Sequence, residues 1–190
     1  MKTLGILLAF LVLASCANPS ARQATQPLLL EPLPPESLGY RLSISQVVAS
    51  QFDGETRSLR VEVEVSPERL VMVGVSHIGV PLFSLELDAE GLRATSLSAD
   101  VLPFDPRYIL SDFQLAHWPF ELVSRDLARQ GYQMVRGLQA TSRYVYDAKR
   151  QLVASVEGLR NGKDGDYMVI VHHDLPYKLL IHTLDRSEGT

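Results

Sequence analysis

The stretch Gly74-Val75-Ser76-His77-Ile78-Gly79 sets a serine and a histidine between glycines. A nucleophile elbow needs Gly-x-Ser-x-Gly with a helix directly after the serine, which holds the hydroxyl on a sharp strand-to-helix turn. Here the second glycine falls one residue late, and alternating, strand-like residues follow. The stretch reads as a hairpin loop. His172-His173-Asp174, with His182 close by, has the composition of a metal fragment. On a strand, however, adjacent residues face opposite ways. A turn centred on Leu175 and Pro176 would also set His172 near Leu179 and not near His182. Three ligands do not converge on one ion that way. His117, beside Trp118, reads as a residue satisfied at a helix joint. Asp164 and Asp166 sit in a Gly-rich turn where solvation accounts for them. The chain contains no Gly-rich phosphate loop, HExxH or CxxC. The expectation is a protein without catalytic residues, metal or cofactor.

The single cysteine, Cys16, cannot form an internal disulfide, so the folded part must stand on its apolar core. Lys2 and the apolar run of residues 4–13 make a start too short for a permanent membrane span. Leu13-Ala14-Ser15-Cys16 resembles a bacterial lipobox. That resemblance implies removal of residues 1–15 as a signal peptide and diacylation of the Cys16 thiol. Acyl chains at about 0.8 kcal/mol per buried methylene make a firm anchor. Ala17, where an Asp would retain a lipoprotein at the inner membrane, implies the outer membrane, with the protein on its periplasmic face. Residues 16–37 carry Pro19, Pro27, Pro32, Pro34 and Pro35 and read as a semi-rigid tether. In polyproline II form it could reach roughly 60 Å. The alternative is that Leu28-Leu29-Leu30 lies against the domain as an edge strand.

With 190 residues, 46% of them hydrophobic and 21% charged, the chain fits one globular domain, placed at residues 38–190. A net charge of -4 without a basic cluster argues against nucleic acid as partner.

The elements that position these residues are mostly strands. Tyr40, Leu42, Ile44 and Val48 share one face of the first. Asp53-Gly54 is a hairpin signal. Leu59, Val61, Val63 and Val65 alternate with charged residues, which predicts a half-buried strand. Residues 70–75 are apolar on both faces, which predicts cover on both sides. Phe83, Leu85 and Leu87 alternate inward, and a further strand follows Gly91. After residue 131 five more strands are expected, at 132–136, 142–147, 151–157, 167–173 and 177–184, in an antiparallel meander.

Between the two sets, residues 103–131 alone show helical periodicity. Asp105 before Pro106 forms an N-cap with proline at the first helical position. Ile109, Leu110 and Phe113 recur at helical spacing, leaving Arg107, Ser111 and Asp112 for the wet side. Pro119 ends this helix near His117. A second helix then restarts, buries Phe120, Val123 and Leu127, and stops at Gly131 as a left-handed C-cap. The result is a sheet wrapped around a helical plug or lid.

Taken in order, the lipobox, tether, SHIGVPLFSLEL hairpin, PRYILSDFQLAHWP and closing LPYKLLIHTL resemble a family of predicted bacterial outer-membrane lipoproteins still classed as a domain of unknown function. Its members occur beside aryl-polyene biosynthesis and export genes. More distantly the layout is similar to LolB, the outer-membrane receptor for lipoproteins. The resemblance implies an α+β fold, with a curved open antiparallel sheet (an incomplete barrel) and two central helices over its concave face. It implies a non-enzymatic, lipid-binding role with a hydrophobic cargo, either lipoprotein acyl chains or an aryl-polyene-type lipid, and a LolA-like periplasmic carrier as a further partner. Ile78, with Gly79 after it, matches the apolar loop residue that LolB projects toward the membrane, although His77 stands where LolB has proline. Met72, Phe83, Leu85, Tyr108, Ile109, Phe113, Trp118, Phe120, Val123 and Leu127 would line a hydrophobic cavity, or fill a dry core. The alternative reading is an assembly lipoprotein that binds a protein partner without a ligand.

Overall fold

The computed structural model describes residues 28–52, 54–97, 105, 107–139, 141–161, 165–175 and 177–189. Cys16, the expected signal peptide and the first part of the tether lie outside these residues.

Five strands precede the helices: β1 (Arg41–Phe52), β2 (Glu55–Val65), β3 (Arg69–Val75), β4 (Pro81–Asp88) and β5 (Gly91–Ser96). Then come α1 (Arg107–His117) and α2 (Phe120–Arg129). The strands β6 (Gln133–Arg136), β7 (Arg143–Tyr146), β8 (Leu152–Asn161), β9 (Gly165–His172) and β10 (Tyr177–Gly189) follow them. All ten form one sheet in the order β5-β4-β3-β2-β1-β10-β9-β8-β7-β6, and every pairing is antiparallel. Two meanders therefore run outward from a central seam, where β1 pairs with β10 from Arg41↔Gly189 to Phe52↔Tyr177. The sheet ends in two edges, β5 and β6, and does not close. The fold is α+β, as expected.

One face of the sheet is apolar and covered. Leu42 and Ile44 of β1, Leu59, Val61, Val63 and Val65 of β2, and Leu70 and Met72 of β3 are buried, as are Phe83, Leu85 and Leu87 of β4. The far half adds Met134, Val145, Ala154, Val156, Ile170, Leu179 and Ile181. Each set obeys the period of two that puts alternate side chains on one face. Bulges interrupt the ladders at Ser45/Gln46, Gly74/Val75 and Val145/Tyr146, and each adds local twist. The glycine beside the second bulge has a steric reason. A Cβ there would overlap the ring of Phe83, its ladder partner, which is itself fully buried. Gly74→Ala should therefore cost about 1–3 kcal/mol through overpacking, read as a lowered urea midpoint with an unchanged denaturant slope.

β3 corrects one expectation. Leu70 and Met72 are buried, but Val71, Val73 and Val75 on the other face are only half-buried. They lie in register with Glu64, Glu62 and Arg60 of β2 and, for Val71 and Val73, with Glu86 and Ser84 of β4. Long charged side chains can shelter apolar neighbours with their stems while their heads stay in water, so a second covering layer is not required.

Both expected helices form, and Pro106, expected at the first helical position, lies outside the described residues. The Arg107 amide donates to Asp105 Oδ1 (2.9 Å), which caps α1. At the other end, Arg143 of β7 donates to the carbonyls of Leu115 (2.6 Å) and Trp118 (2.7 Å), satisfying groups that a helix end leaves unpaired. Burial, and then Arg136 nearby, hold this guanidinium down to about 10. The second helix ends in a Schellman motif. Tyr132 N–H donates to the Leu127 carbonyl, Gly131 N–H to that of Ala128, and Gly131 takes a φ of 87° that glycine tolerates best.

The tether ends earlier than residue 37. Leu28 and Leu30 are buried, a 3-10 turn follows at Pro35–Leu38, and Leu38 is in the core. This segment is not an edge strand either, because side chains of α1 hold it and not a strand ladder.

Candidate functional site

Two features stand out once the chain is folded: the covered apolar face and the β3–β4 hairpin tip. At the tip, Gly79 N–H donates to the Ser76 carbonyl (2.9 Å), and Ser76 N–H donates to that of Val80 (2.8 Å). Gly79 has a φ of 81°, the left-handed value of a turn that ends in a glycine bulge. Ser76 Oγ accepts from the Val80 amide (3.0 Å), so the hydroxyl serves the turn. This geometry presents Ile78, which is 87% exposed. Phe52 at the tip of β1, Val80 at the foot of the hairpin and Leu97 just past β5 are also exposed, all toward this end of the strands.

At the opposite end of the strands lies an open groove of about 550 Å³ lined by Arg41, Leu42, Glu64, Glu68, Arg69 and Ser187, among others. Arg41 and Glu68 approach to 3.7 Å across it. None of the residues expected to line a hydrophobic cavity lines it.

Those residues instead meet beneath the helices. Met72, Phe83, Leu85, Phe113, Trp118, Val123 and Leu127 are all in the buried core, and Ile109 and Phe120 pack against it while half-buried. Tyr108 is half-buried. Phe120 also lies under the Arg136 guanidinium at 4.0 Å, a cation–π contact. The Trp118 ring meets Phe113 edge to face at 6.1 Å.

The polar half of α1 departs from its expected exposure. Ser111 and Asp112, expected on the wet side, are buried, and so is Gln114. Each has a partner far away in sequence. Ser111 Oγ accepts from the Leu30 amide (2.8 Å). Gln114 accepts from the Leu33 amide (3.0 Å) and donates to the Leu33 carbonyl (2.8 Å). Asp112 Oδ1 pairs with His172 Nε2 at 2.8 Å, and Asp112 Oδ2 accepts from Tyr177 OH at 3.3 Å. The His172 and Tyr177 rings are 5.1 Å apart. Burial alone would lower the His172 proton affinity. The charge and hydrogen bond of Asp112, with Asp174 beyond, outweigh it and raise His172 above the usual histidine range. Tyr177 is pushed far up, by burial first and then by Asp112.

The turn before β10 also differs from expectation. His172 pairs with Tyr177, and His182 pairs with Tyr167, on which it stacks at 4.5 Å. His172 and His182 still lie apart, and among the described residues no three His, Cys, Asp or Glu side chains gather. His117 lies 4.5 Å from the Phe113 ring, with Nδ1 3.4 Å from Arg186. Burial, then Arg186 and Arg143, hold it down to about 3, so this imidazole is neutral. Ser155 Oγ meets His173 Nε2 at 3.0 Å. A serine–imidazole pair becomes a nucleophile only when a third group orients the ring and donors await an oxyanion. Among the described residues, no carboxylate orients the second nitrogen of His173.

Fold and site together define an α+β protein built on one open antiparallel sheet. Its covered face is apolar, and the aliphatic side chain of Ile78 is held out on a hairpin. The chain belongs to the family described as "Protein of unknown function (DUF3261)", which matches residues 43–185. No curated protein matches it. Among solved structures it is similar to a LolA superfamily protein from Nitrosomonas europaea, with 8% identity and a TM-score of 0.42, over 77% of this chain and 85% of that one. It is also similar to a DUF1329 family protein from Desulfovibrio piger, with 10% identity and a TM-score of 0.35, over 77% and 84%.

Proposed function

We propose that this protein is a non-enzymatic outer-membrane lipoprotein, anchored through Cys16, that accepts a hydrophobic cargo beneath its helices and passes it into the membrane. The cargo is an acylated polypeptide or an aryl-polyene-type lipid, delivered by a LolA-like periplasmic carrier. The observation that carries this reading is Ile78. An exposed isoleucine at the tip of a hydrogen-bonded turn gains nothing from water, whereas burying it in an apolar phase is worth roughly 1.5–3 kcal/mol. Phe52, Val80 and Leu97 give the same end of the sheet an apolar character.

Ile78→Glu tests it. Folding and cargo capture should stay nearly unchanged, because the tip is outside the core. Transfer of a fluorescent acyl lipid to liposomes should fall about tenfold or more, since a charge must now enter the apolar phase. Unchanged transfer, or a large loss of thermal stability, would overturn the assignment. The anchor has its own test: Cys16→Ser should leave the protein out of the membrane fraction, and membrane retention would refute lipidation.

A second reading rests on the two sheet edges, β5 and β6, and on how fully the core is occupied. An assembly factor that adds a partner's strand to an edge needs no cavity. Under that reading the liposome assay shows no transfer by the unmodified protein.

A further inference from the structure

Residues 28–33 are held in an unusual way. A strand is kept in place by its ladder, but the backbone groups of Leu30 and Leu33 are read by two side chains of α1, Ser111 and Gln114. Leu28 and Leu30 insert into the core shared with α1 and the covered face of the sheet, and Leu33 packs against it. Removing the segment breaks no ladder bond of the ten-stranded sheet. The helix would also stay in place, because Asp112 ties it to His172 and Tyr177 and Arg143 ties down its last carbonyls.

We propose that residues 28–33 are a displaceable strap, seated in the slot that the alkyl chain of the cargo occupies, so that strap and cargo exclude one another. This rests on the reading of the protein as a cargo acceptor. The chemistry of the slot names the ligand class. Its floor is apolar, as alternate leucines require. Its rim offers one hydroxyl and one carboxamide, which now bind two amide N–H groups (Leu30 and Leu33) and two carbonyls (Leu28 and Leu33). A chain joined to its head by an amide or ester presents a carbonyl, and an amide presents an N–H as well, so Ser111 and Gln114 can satisfy such a linkage without rearrangement. The ligand class is therefore an acyl chain in amide or ester linkage. The strap lowers the apparent affinity for it by the fraction of molecules in which the slot is shut.

The test uses the full chain carrying Cys16→Ser, purified without detergent, because detergent alkyl chains would compete for the slot. The probe is N-palmitoylglycine. Amide hydrogen exchange should show that the probe abolishes protection of Leu30 and Leu33 while protection within α1 persists. Leu28→Ala/Leu30→Ala, which weakens the strap and leaves the slot's own residues untouched, should bind the probe about tenfold more tightly. If the probe binds while Leu30 and Leu33 stay protected, and the variant gains nothing, competition is refuted although a cargo site stands. If neither protein binds the probe, the cargo reading and the strap fall together.

Discussion

Asp112→Ala should destabilise the protein by about 3–5 kcal/mol, the usual consequence of removing one member of a buried pair and leaving the other without its counter-charge. Asp112 links α1 to two strands at once, since His172 belongs to β9 and Tyr177 opens β10. The loss should depend on pH in a definite direction. His172 binds its proton more tightly when folded than when unfolded. Its contribution is therefore complete below the unfolded value near 6.5 and disappears as pH rises through the raised folded value. The gap between the natural protein and Asp112→Ala, measured by urea titration, should be wider at pH 6 than at pH 9. His117 works the other way. Its folded value near 3 makes stability fall as pH drops below about 6.5. Comparing the two proteins at each pH cancels that effect. A gap that is constant or grows with pH would show that the Asp112 contact carries no charge pairing.

Trp118→Ala should cost a similar amount, about 3–5 kcal/mol, by truncating a large side chain with no exposed surface. Trp118 sits where α1 gives way to α2, and its surroundings are held from three directions. Phe113 packs on the ring, the indole Nε1 donates to Ser37 Oγ at 2.9 Å, and the backbone carbonyl takes a hydrogen bond from Arg143. Trp118→Phe separates packing from the hydrogen bond: it should recover most of the loss and leave a deficit of about 1 kcal/mol. Because Trp118 is the only tryptophan, far-ultraviolet circular dichroism has to follow both transitions. A loss below about 1 kcal/mol for the alanine variant would mean that the helix joint is not part of the cooperative core.

Much of this architecture could be read in advance, and the reasons are local. Leu59, Val61, Val63 and Val65 alternate with polar residues, so their burial follows from a period of two. The proline joint and Gly131 mark the helix ends because each acts on the backbone beside it. The hairpin that presents Ile78 is likewise written in consecutive residues. The polar half of α1 was hidden for the opposite reason. Serine, aspartate and glutamine on a helix look alike whether they meet water or a partner, and their partners here lie 60 to 83 positions away. The burial of Leu28 and Leu30 stayed open because proline-rich sequence signals an extended backbone without saying what it touches. Bulges are equally silent, since an inserted residue shifts the register without changing the composition.

The seam between β1 and β10 has a consequence for how the molecule is made. Each half of the sheet is a run of neighbouring hairpins that can form within microseconds of collapse. The longest ladder, however, joins Arg41 to Gly189, and no part of it exists until β10 is available. Folding must therefore await a contact between distant stretches of chain, which places this protein among slow folders, on a scale of milliseconds to seconds. Until then β1 and β9 each present an open edge able to pair with another copy. During synthesis the most vulnerable form is the chain that lacks only β10 of its sheet. Premature termination before Tyr177 would leave two half-sheets with nothing to join them.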